Sequence, residues 1–140
     1  MSEAVREAPK KQRPQFRNIH VTDLGNYRLP PAGLVSILHR ISGFIMFAAL
    51  PLILYMLQQS LLSEDTFKYF SAILQNPLSK LVLLVLLWGY YHHFCAGVRH
   101  LFMDMHIGIE KHSARQSALS VLVISLVLTF ITALKLFGVF

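Results

Sequence analysis

The sequence predicts an all-α membrane protein of three transmembrane helices with a cytoplasmic N-terminus. Three observations predict it. Of 140 residues, 54% are apolar and only 14% charged, where a soluble domain carries roughly 25% charged residues. Three stretches stay apolar for the roughly 20 residues that a helix needs to cross a hydrocarbon core about 30 Å thick. The 13 Lys and Arg outnumber the 7 Asp and Glu, giving a net charge of +6, and they crowd to one side of those stretches.

The segment 1–31 is polar, basic and Pro-containing, with Glu3, Glu7 and Asp23 mixed in. It has neither the apolar core of a secretory signal nor the acid-free composition of a transit peptide. It is expected to stay on the mature protein as a cytoplasmic N-terminal segment, on a membrane surface or against a partner. The rest, 32–140, reads as a membrane anchor with spans at about 34–62, 81–103 and 117–139. Between the first two spans, Glu64, Asp65 and Lys68 mark a loop in which Thr66–Leu74 forms a short interfacial helix before the Asn76-Pro77 stop. Asp104–Gln116, charged and His-containing, links the last two.

Arg6, Lys10, Lys11, Arg13, Arg17, Arg28 and Arg40 precede or open the first span, and Arg99, Lys111 and Arg115 flank the second loop. Only Lys68, Lys80 and Lys135 fall on the other side. Lys and Arg accumulate on cytoplasmic loops, so the imbalance sets the orientation. It also accounts for the net charge without nucleic acid, since no basic face is interleaved with stacking aromatics. By elimination the compartment is a bacterial inner membrane. The single cysteine, Cys95, provides neither a disulfide framework nor a cysteine-ligated cluster.

Ionisable groups inside spans are costly and mark functional sites. Ser36, His39, Arg40 and Gly43 follow offsets of three, four and seven and share one helix face. Together they make a donor-rich pocket suited to carbonyl oxygens or carboxylates; alternatively, Arg40 snorkels to the headgroups and His39 sits at the boundary. On the second span, His93, Gly97, His100 and Asp104 form a stripe at offsets of four, seven and eleven, and His93 lies about 10 Å deeper than His100. A deep imidazole with a glycine notch beside it suits an axial haem ligand, with Arg99 and His100 placed to meet the propionates. It equally suits a histidine bonded to a neighbouring helix. The spacing does not separate the two. His92 points about 100° away from His93. A six-coordinate haem would need a second ligand; His39 is too shallow, so that ligand would come from another polypeptide, making the chain part of a heteromeric helical bundle.

Two strings carry a family resemblance: Ser36-Ile37-Leu38-His39-Arg40-Ile41-Ser42-Gly43, and His93-Phe94-Cys95-Ala96-Gly97-Val98-Arg99-His100-Leu101-Phe102-Met103-Asp104. With the upstream Arg13-Pro14, the length and the span count, the chain from about Arg13 onward resembles the cytochrome b membrane-anchor subunits of succinate dehydrogenases. The resemblance implies one of two small anchor subunits that hold a flavoprotein subunit and an iron-sulfur subunit to the membrane, where electrons from succinate reach ubiquinone. It implies that His93, four residues before the glycine of Gly-Val-Arg-His, is an axial ligand of a haem b shared with the second anchor subunit. It implies quinone binding by Ser36 and Arg40, with His39 near the propionates and the quinone pocket. The chain supplies no flavin or iron-sulfur site and does not oxidise succinate alone.

Two rivals predict other features. An anchor of a related fumarate reductase would use menaquinone and could lack haem, against which a deep His93 weighs. A small transporter or proton-conducting subunit would route a relay through His39, Arg40 and His93, and relays of this kind employ a mid-depth Asp or Glu; none of the three spans contains one at that depth.

Overall fold

The computed structural model describes residues 20–26 and 28–139. Arg6, Lys10, Lys11, Arg13 and Arg17, on which much of the expected charge asymmetry rests, lie outside the described residues, as does the Arg13-Pro14 pair. After a 3₁₀ turn, Val21–Asn26, come four helices: α1 (Pro31–Ser60), α2 (Glu64–Gln75), α3 (Pro77–Asp104) and α4 (Lys111–Leu136). No strand occurs among the described residues. α1, α3 and α4 are long and apolar enough to cross a membrane.

Each terminus has a local cause. α1 begins with Pro31 at its first position, where a missing N–H costs nothing. Pro51 sits inside it, a break that membrane helices tolerate. α2 opens on a capping box, in which the Ser63 hydroxyl accepts from the Thr66 amide and the Thr66 hydroxyl accepts from the Ser63 amide. The Asn76-Pro77 pair ends α2 and also starts α3, because the Asn76 side chain caps Leu78 N–H and Pro77 occupies the first turn. The second span therefore continues a helix that starts upstream of Leu81. α4 likewise begins at Lys111 rather than near Ser117, and the expected loop shrinks to 105–110, turned by His106 and Gly108 at φ 62° and 75°. α4 closes on a Schellman turn: Gly138 takes φ 74°, its N–H reaches Lys135 O, and Val139 N–H reaches Leu134 O.

α3 runs antiparallel to both neighbours. His93 packs on Gly43 and Gly97 on His39, while Arg99 pairs with Ser117 and Tyr91 with Thr132, so rising numbers on one helix meet falling numbers on the next. Small residues let the backbones approach: Gly89 and Ala96 of α3, Ser42 of α1, and Ala118 and Ser125 of α4 are buried, with Val35 and Val121 filling the remaining space. The mid-span Tyr91 hydroxyl, which has no water to bond at that depth, meets Thr132 Oγ1 at 2.9 Å. Most other large apolar side chains face outward, Phe44 and Phe47 at 72% and 75% exposure, a surface suited to lipid or partner helices.

Candidate functional site

The two polar clusters read from the sequence meet where the start of α1 crosses the end of α3. The rings of His39 and His93 stack with centroids 4.0 Å apart and planes 10° from parallel, and His100 tilts against His39 at 5.1 Å. Gly43 makes the stack possible, and Gly97 lies in ordinary contact with it. A Cβ on Gly43 would lie 2.7 Å from Cε1 of His93, and one on Gly97 would lie 3.6 Å from Nε2 of His39. Each glycine thus faces the imidazole of the opposite helix. Nε2 of His39 stands beside the Gly97 notch, which was expected to leave room for a flat group.

Nδ1 of His93 lies 3.0 Å from the main-chain oxygen of His39. A carbonyl only accepts, so Nδ1 carries a proton, and in the neutral ring Nε2 is then the nitrogen with the free lone pair. Ser42 completes the bracket: its buried hydroxyl donates to the same carbonyl at 3.0 Å and stands 3.3 Å from Nδ1. Nε2 of His93 has no hydrogen-bond partner among the described residues, and the ring is half-buried. Ser42 was not singled out from the sequence; its place one residue before Gly43 was the available signal.

His92 is arranged differently. It is fully buried, with Nε2 a long 3.5 Å from Val35 O, the ring beside Trp88, and Nδ1 sealed without a partner among the described residues. It locks α3 against α1. Arg99 does not join the histidines. It is 6% exposed, its Nε donates to Ser117 Oγ at 3.0 Å and its Nη2 to Ala114 O at 3.3 Å, both on α4. A rotation of about 100° per residue turns it roughly 120° from His93, which is why it reaches the other neighbour. Ser36 is half-buried and Arg40 exposed, one turn apart at the start of α1. Asp104, the last residue of α3, is exposed, as are His106 and His112.

The family described as succinate dehydrogenase/fumarate reductase transmembrane subunit matches residues 10–132. The chain belongs to that family. Among its relatives is the succinate dehydrogenase cytochrome b556 subunit of Coxiella burnetii, 36% identical over 106 residues that cover 75% of this chain and 85% of the relative. The subunits of the same name from Paracoccus denitrificans and Rickettsia felis are 32% and 27% identical, over 79% and 77% of this chain and 85% and 84% of theirs. The three long apolar helices accord with a transmembrane subunit, and the chain is a membrane protein.

The relatives' names are those of b-type cytochromes, so haem is the group against which this geometry is tested. The described residues form no cluster of three or more His, Cys, Asp or Glu that would chelate a bare metal ion. They do provide one imidazole with Nδ1–H tied to a carbonyl and Nε2 unbonded, the arrangement by which a protein orients an axial histidine. The residues fit a single axial ligand at His93.

Proposed function

We propose that this chain is the cytochrome b anchor subunit of a succinate dehydrogenase, contributing one axial ligand of a haem b and part of a ubiquinone-reduction site. The observation that carries the proposal is the bond from His93 Nδ1–H to His39 O, which presents Nε2 for ligation. A b-type haem, when bound, supplies a one-electron centre in the membrane. His93 holds it on one side, and a second small anchor subunit provides the other ligand. His39 and His100, stacked and tilted at the same end of the bundle, would be the donors for its propionates. Arg99 is engaged with α4, which supports a separate role for it.

Ser36 and Arg40 bind the quinone. As a quinone carbonyl gains electrons its oxygen becomes more basic, and a positioned guanidinium and hydroxyl stabilise the developing charge. Both stand at the start of α1, one residue or one turn from His39, and Arg40 is exposed toward an incoming ligand or partner. With the N-terminus in the cytoplasm of a bacterial cell, this end of the bundle faces the flavoprotein and iron-sulfur subunits. The names of the relatives favour succinate dehydrogenase over fumarate reductase within the family.

The test is Arg40→Ala in the purified complex. Loss of one such donor costs roughly 10²-fold in rate. Succinate-dependent ubiquinone reduction is expected to fall by about that factor, while succinate oxidation measured with a soluble dye stays unchanged. Full ubiquinone reduction by the variant would remove Arg40 from the site.

A further inference from the structure

Arg99 is a buried cation for which the described residues hold no carboxylate within salt-bridge distance; the ion pair they contain is Lys68–Glu64, at the other end of the chain's helices. A guanidinium has five N–H donors, and two are used here, by Ser117 and Ala114. A charge taken out of water without a counter-charge is destabilising unless something supplies one. Beside Arg99, between α3 and α4, lies a cavity of about 400 Å³. Arg99, Ser113 and Ser117 supply its polar lining toward the end where α3 finishes and α4 starts, with Phe102, Met103 and Ile107 beside them, and Phe94, Val121 and Ile124 line the deeper part. From Ser117 to Ile124 the slot runs about 10 Å at a helical rise of about 1.5 Å per residue. Phe94 and Ile124 are 61% and 49% exposed, so the slot opens toward hydrocarbon.

We propose that this cavity seats an anionic phospholipid from the leaflet at the Arg99 end of the bundle. The guanidinium grips the phosphate, Ser113 and Ser117 assist, and one acyl chain lies along Phe94, Val121 and Ile124. A guanidinium fork matches phosphate geometry, and the lipid supplies the missing negative charge. The site faces away from the His39–His93 stack, so its occupant is independent of the haem assignment.

The test is native mass spectrometry of the purified, delipidated complex mixed with equal amounts of phosphatidylglycerol and phosphatidylcholine of identical acyl chains. The native complex is expected to retain phosphatidylglycerol about tenfold more strongly, a preference that Arg99→Gln abolishes, since a charge-assisted bond contributes roughly a factor of ten or more. Ile124→Trp, which fills the slot and leaves Arg99 intact, is expected to lose the retained lipid even if the Arg99 variant fails to assemble. Lys135→Gln, the same charge loss at the opposite end, is expected to retain it. Equal retention of the two lipids by the native complex would overturn the proposal and point to a partner segment as the occupant. Undiminished retention in either Arg99→Gln or Ile124→Trp would overturn it as well.

Discussion

Replacing Gly43 by alanine drives a methyl group into the His93 ring, and the structure sets the size of the disturbance. The new Cβ would stand 2.7 Å from Cε1 and 3.2 Å from Nδ1, short by about 1 Å of an unstrained carbon contact at roughly 3.5–4.0 Å. The ring cannot simply turn away, because it is stacked on His39 at 4.0 Å and bonded to His39 O at 3.0 Å. A shift of about 1 Å stretches that bond beyond hydrogen-bonding range. Overpacking costs about 1–3 kcal/mol and the lost bond about 1 kcal/mol, offset by about 1 kcal/mol of alanine's helix preference over glycine. The net expectation is a loss of roughly 1–3 kcal/mol in the packing of α1 on α3. Gly97→Ala is the matched control, since its Cβ would make ordinary contact with His39 at 3.6 Å and the helix preference favours it. The assay is the thermal-shift midpoint of the solubilised complex together with its low-temperature electron paramagnetic resonance spectrum. Gly43→Ala should lower the midpoint and shift the low-spin signal, while Gly97→Ala leaves both near native. A Gly43→Ala complex indistinguishable from native, or two variants equally disturbed, would refute the tight packing of His93 on Gly43.

Further substitutions bear on the helix contacts. Tyr91→Phe removes the buried bond to Thr132 and should cost about 1 kcal/mol, whereas Tyr90→Phe, on an exposed side chain, should stay within about 0.5 kcal/mol; guanidine-free thermal denaturation of the complex compares them. Ser42→Ala removes one of the two side-chain donors on His39 O while leaving His93 its own bond, so the haem band should persist with a small shift. Ser42→Val, which adds bulk beside the same carbonyl, should broaden or weaken that band in the absorption spectrum.

Much of this arrangement was legible before any coordinates. The three apolar runs correspond to three helices, and α2 was anticipated within a few residues because Ser63 and Asn76 are strong local signals. The stripe of His93, Gly97 and His100 does meet His39, since helical periodicity decides which residues share a face. Other features depend on which helix lies against which face, and that is not written in periodicity. Arg99 was expected to meet haem propionates together with His100, and its hydrogen bonds here go to Ser117 and Ala114 of α4, toward which one residue of helical rotation turns it. Which side chain stands beside the Gly97 notch, here His39 at ordinary contact distance, likewise depends on the antiparallel register. The early start of α4 was hidden because Lys111, His112 and Arg115 make its first turn look like loop. Ser42 escaped notice because an isolated serine carries no pattern until its neighbour across the interface is known.

The most direct test of the account is the reduced-minus-oxidised absorption spectrum of the solubilised complex, recorded for the native chain, His93→Ala and His92→Gln. The account predicts a sharp low-spin b-type band in the native complex, lost or displaced in His93→Ala and retained in His92→Gln, whose parent side chain packs α3 on α1. A band that survives His93→Ala and disappears in His92→Gln, or a native complex with no haem band, would contradict it.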